Sequence, residues 1–135
     1  MTIKTTYGEV RQAYAALAAM ARDDLRVRFG AALKWKRMLG VLRPLVEGLE
    51  ELIGEVIKEH AVKDEAGEVV EGDRAGTVRI ADVGAYNRAI NEILKTPVEV
   101  GCDQVEAADF GDSDTLVRSS LAQHLDDLGP FFKEE

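Results

Sequence analysis

Cysteine occurs once in this 135-residue chain, at Cys102. An internal disulfide is therefore excluded, and a reducing compartment fits. Cys102 has no CxxC partner, and the two histidines, His60 and His124, stand in no H-E-x-x-H arrangement. A zinc site would have to be assembled from distant parts of the chain, so both histidines read as structural and no metal is assigned. Apolar runs are short, and none approaches the length of a membrane span. The opening residues MTIKTTYGEV hold no apolar signal core, so export is not expected from them. Basic residues are in deficit, 17 against 25 acidic, for a net charge of −8. That disfavours non-specific nucleic-acid binding, because the phosphate backbone rewards Lys and Arg. It favours solubility or a basic partner. The glycines are scattered singly, so no phosphate-cradling loop exists. Ser113, Ser119 and Ser120 sit in no nucleophile elbow. No catalytic residue and no cofactor are assigned.

What the sequence does hold is one dominant stretch, FGAALKWKRMLGVLRPLVEGLEELIGEVIKEH, over residues 29–60. Ala32, Trp35, Leu39, Leu42, Val46, Leu49, Ile53, Val56 and His60 recur at alternating steps of three and four. That is one face of a helix, close to a heptad seam. Gly40 and Pro44 interrupt it. Proline clashes with the carbonyl of the residue four before it, here Gly40. The spacing predicts a kink, or a split into two helices, between them. A straight helix of this length spans roughly 48 Å, whereas a compact chain of this size has a radius of gyration of about 14 Å. The helix must bend, or protrude and find a partner.

The rest is organised around that stretch. Thr6 and Glu9 form a capping box for a helix over 7–21, whose inner face is Val10, Ala13, Tyr14, Leu17, Met20 and Ala21. Leu25, Val27 and Phe29 alternate, as in a short extended link. Residues 68–71 and 77–80, set among turn residues, predict a hairpin. Asp82 caps a third helix with Val83, Tyr86, Ile90, Ile93 and Leu94 inward, ended by Pro97. Val98 to Val100 is a short strand that can add to the hairpin. The last helix starts at Ser113 or Ser120, carries Leu116, Leu121, Leu125 and Leu128, and stops at Gly129-Pro130. The expected fold is one mainly helical (α+β) domain over 1–135. A long kinked central helix is packed by three further helices, with a β-hairpin or three-stranded β element.

Charge along the chain is uneven. Arg22, Arg26, Arg28, Lys34, Lys36, Arg37 and Arg43 crowd one segment, and Glu47, Glu50, Glu51, Glu55 and Glu59 follow. Such polarity directs head-to-tail assembly or docks an acidic partner. The alternative, slightly preferred, is internal pairing with the acidic C-terminal part. Candidate interface residues are Arg26, Lys34, Trp35, Lys36, Arg37, Arg43, Phe131 and Phe132, though Trp35 also fits the core seam. Asp109, Asp112 and Asp114 crowd together in ADFGDSD. They miss the EF-hand spacing, and capping of the last helix is the better reading beside cation binding.

From about Leu25 to Phe132, the order of features resembles a set of small siphophage- and prophage-encoded proteins of unknown function. The shared pattern is a Lys/Arg- then Glu-rich helix (31–60), a KDE-x-G turn (63–67), a helix ending before a VEV strand (82–100), and a helix ending in L-x-PF (121–132). The N-terminal helix and the polar insert near Asp103 depart from it. The resemblance implies a viral or mobile-element origin and assigns no catalytic residue. Together with the long amphipathic helix and the lack of a catalytic motif, it leads to the expectation of an interaction protein, a small virion component or assembly factor, in the host cytoplasm or the virion. A phage or host protein is the expected partner, or the chain forms a homo-oligomer. The competing readings are a phage-encoded inhibitor of a host polymerase, nuclease or defence enzyme, acting through an acidic surface, and a small enzyme whose site assembles only in three dimensions.

Overall fold

The structure, a computed structural model, describes residues 2–22, 29–110 and 119–133. Strand β1 (Thr2–Thr6) runs directly into helix α1 (Tyr7–Arg22). Helices α2 (Phe29–His60) and α3 (Val83–Leu94) follow, then strand β2 (Pro97–Gly101). Helix α4 (Ser119–Leu128) leads into a short 3-10 turn (Gly129–Phe131). The chain is mainly helical, with a two-stranded antiparallel sheet. Arg26, Asp112, Ser113, Asp114 and Leu116 lie outside the described residues, as does the link at Leu25 and Val27.

Local signals placed the helix starts. The Glu9 amide donates to Thr6 Oγ1 at 3.3 Å, so Thr6 is the cap the sequence predicts. The Ala85 amide donates to Asp82 Oδ1 at 3.1 Å in the same way. Helix α2 is unbroken from Phe29 to His60, with Pro44 inside it, so the split allowed by the sequence does not occur. Pro44 and Gly40 are both exposed. The one carbonyl that loses its amide donor therefore lies on the wet side, where water can serve it.

The β element differs from expectation. Val98 to Val100 does not extend a hairpin. It pairs with the N-terminal strand, Ile3 against Val100 and Thr5 against Val98. The predicted hairpin segments meet in one antiparallel bridge, Glu71 with Val78. The chain leaving α2 joins them. Val62 donates its amide to the Arg79 carbonyl, Arg79 to Val70, and Val70 back to Val62, a closed ring of three backbone bonds. These isolated bridges are not a regular sheet.

The core lies between α1, the first part of α2, the sheet and the C-terminal residues. Val10, Ala13, Leu17 and Met20 of α1 meet Trp35, Met38 and Leu42 of α2, with Val100, Val105, Leu128 and Phe131 closing the far side. The seam of α2 is rotated from the predicted one. Ala31 and Met38 are buried, Ala32 is exposed, and Leu39 and Val46 are only half-buried. Further along, Leu49 and Ile53 are buried outside that cluster. Here α2 is covered by α3, none of whose residues is fully buried. Gly129, at φ +51°, turns the chain so that Phe131 enters the core. Beyond it, Phe132 bridges in parallel to Val105, and the Val105 amide donates to the Phe131 carbonyl at 2.8 Å.

Candidate contact surface along the long helix

A helix this long has more perimeter than its neighbours cover. At 3.6 residues per turn, Phe29, Leu33, Arg37, Val41, Pro44, Gly48, Glu51 and Leu52 fall within an arc of about 140°. This arc is opposite to, or flanks, the buried face that carries Trp35, Leu42, Leu49 and Ile53. It is not an ordinary solvated face. Phe29 is 79% exposed, Leu33 40%, Val41 38% and Leu52 47%. Gly30, Gly40, Gly48 and Gly54 add no side chain, and a Cβ at any of them would meet nothing within 4 Å. A helical glycine costs up to about 1 kcal/mol relative to alanine. No packing contact among the described residues requires these four.

Beside this face lies an open groove of about 670 Å³. Lys34, Arg37, Met38, Gly40 and Val41 form one wall, and Thr2, Gly101, Cys102 and Asp103 form the other, at the end of the sheet. Burial pushes the Cys102 thiol above its ordinary pKa, and the neighbouring negative charge of Asp103 adds to the rise. The thiol is therefore held protonated and is a poor nucleophile. Among the described residues, no three His, Cys, Asp or Glu side chains converge as a metal ion would need. No helix among them is long and apolar enough to cross a membrane.

The residues singled out in the sequence separate into three groups. Trp35 and Phe131 are buried in the core and Phe132 is packed against it, so these aromatics are not presented to a partner. Their apolar character was read correctly, but burial depends on neighbours distant in sequence. Lys34 is engaged internally, with Nζ 2.6 Å from Asp109 Oδ2. The same oxygen accepts from Trp35 Nε1 at 3.4 Å and from the Glu106 amide at 2.9 Å. Asp109 thus braces a 3-10 turn (Ala107–Phe110) against α2. That is a correction to its reading as a cap for the last helix. Arg43 is exposed and its Nε lies 3.4 Å from the Tyr14 hydroxyl. Lys36 and Arg37 are exposed and make no ion pair among the described residues. Internal pairing, the preferred reading of the basic segment, thus accounts for Lys34 and leaves Lys36 and Arg37 available.

Both histidines are half-buried. His60 ends α2 and packs edge-on to Tyr86, with ring centroids 6.3 Å apart. The sequence signal missed altogether was the exposed apolar arc. It was present as Phe29, Leu33 and Val41 at steps of four and eight, in phase with Gly48 and Leu52. Comparison with family models, curated proteins and solved structures finds no match.

Proposed function

We propose that this protein works by contact rather than by chemistry, as a small structural or assembly component that binds another protein subunit. One observation carries this reading. The water-facing side of α2 exposes Phe29, Leu33, Val41 and Leu52 along one arc, with glycines between them that no contact among the described residues requires. Isolated exposed apolar residues are ordinary, but four on one face, set among glycines and charged residues, suit an interaction surface with an apolar centre and a polar rim. The resemblance to siphophage- and prophage-encoded proteins supports placing that role in a virion or its assembly. The partner is then a phage structural protein or a further copy of the chain.

A second reading rests on a different observation. Glu51, Glu55, Glu59, Glu65, Glu68 and Glu71 are all exposed along the far part of α2 and the bridged segment beyond it. Such a surface suits a basic groove on a host protein, as an inhibitor would require.

Light scattering on the purified chain, with mass spectrometry of whatever co-purifies from phage-infected cells, tests the contact reading. An oligomer, or a stoichiometric complex with a phage structural protein, supports it. A stoichiometric complex with a host nucleic-acid enzyme favours the second reading. A monomer that co-purifies with nothing contradicts both.

A further inference from the structure

The exposed arc of α2 has an internal symmetry centred on Pro44. Gly40 and Gly48 lie at equal distances on either side of it, and so do Arg37 and Glu51. All five residues are exposed. We propose that α2 pairs with α2 of a second copy of this chain, antiparallel, about a two-fold axis that passes at Pro44. This rests on the contact reading above and names the partner.

Charge complementarity selects this occupant and this direction. Two exposed cations of α2, Lys36 and Arg37, precede Pro44, and the exposed acids Glu47, Glu51, Glu55 and Glu59 follow it, with one cation, Lys58, among them. A parallel pair would set like charges together. An antiparallel pair sets Arg37 of each copy opposite Glu51 of the other, twice over by symmetry. It also brings Leu33 within one turn of the partner's Leu52, so two half-exposed apolar residues cover each other. At the axis, Gly40 faces the partner's Gly48. Neither has a side chain, and the space above each is open, so the backbones can approach closely there and Val41 can sit over the gap. Alanine in place of these glycines would stabilise an isolated helix. Their presence is explained when the face is covered by another backbone.

The test uses the full chain and three charge variants, read by sedimentation equilibrium, with circular dichroism as the folding control. Both substituted residues are exposed, so the fold is retained. Arg37→Glu and Glu51→Arg each place like charges at both contacts and weaken dimerisation by at least about tenfold. The double variant Arg37→Glu with Glu51→Arg restores the pair to within about threefold of wild type. A second readout fixes the axis. In a Cys102→Ser background, Pro44→Cys crosslinks to its own copy under mild oxidation, whereas Leu52→Cys, away from the axis, does not. A dimer indifferent to these charges, or a double variant no better than the singles, overturns the placement while leaving the contact reading standing. A monomer bound stoichiometrically to another protein overturns self-pairing alone. A monomer bound to nothing overturns both.

Discussion

Lys34 and Asp109 form an ion pair at 2.6 Å, with both side chains mostly withdrawn from water. The pair is asymmetric. Asp109 also accepts from Trp35 Nε1 and the Glu106 amide, so it keeps partners when Lys34 is removed. Lys34 has no other partner among the described residues. Asp109→Ala should therefore destabilise more than Lys34→Met. The expected losses are about 2–3 kcal/mol for the first, which strands a mostly buried cation, and about 1 kcal/mol for the second. Urea denaturation followed by the single tryptophan, Trp35, measures both. Equal losses would mean that Asp109 is not the hub of this contact.

Thr5 points a buried hydroxyl into the interior, where its Oγ1 has no hydrogen-bond partner among the described residues. Thr5→Val keeps the shape and removes the stranded polar atom. It should stabilise the fold by about 1 kcal/mol. A loss of stability on thermal or urea unfolding would mean that the hydroxyl is satisfied, by water or otherwise.

Thr5 also shows what the sequence withheld. Ile3 and Thr5 alternate with Lys4 and Thr6, the pattern of a half-buried strand, but the run is short and abuts a strong helix cap. Its partner, Pro97–Gly101, is legible in the sequence as a strand over Val98 to Val100, but the hairpin that the sequence offers as a neighbour is not the one it pairs with. Helix caps and periodicity are local, so α1, α2 and α3 were legible, Thr6 and Asp82 included. Strand pairing across the length of the chain is not local. Asp109 was misread for the same reason, since its partner Lys34 has no sequence relation to it. The candidate surface was only partly legible. Lys36 and Arg37 are exposed, as charged residues between seam positions should be, and Trp35 is buried, as its place on the seam allows, whereas the burial of Phe131 depends on residues far away in the sequence.

Cys102 gives a pH-dependent observable. Its pKa is raised first by burial and second by Asp103. The protonated thiol is the form the fold favours. It therefore contributes stability that is complete below the unfolded-state pKa and is lost as pH rises through the higher folded-state value. The rate of iodoacetamide alkylation should reach half its maximum at a pH above that of a free cysteine. Asp103→Asn should lower that midpoint only part of the way, because burial is the larger cause. A midpoint at or below the ordinary thiol value would contradict the placement of this side chain.

Pro44 stands exposed within an unbroken helix. If nothing in the monomer requires it, Pro44→Ala restores one backbone hydrogen bond and should stabilise the monomer by about 1–3 kcal/mol. Denaturant unfolding at low protein concentration reads this directly. A clear loss of stability would show that the proline's geometry is needed to seat α2 against α1.

The central claim is that α2 presents its outer face to a second α2. The mass of the wild-type chain in solution tests this most directly. Sedimentation equilibrium at moderate ionic strength should give twice the chain mass of 14.8 kDa at micromolar concentrations. It should shift towards the single-chain mass as salt screens the Arg37–Glu51 contacts. A single-chain mass of 14.8 kDa at every concentration and salt would contradict it.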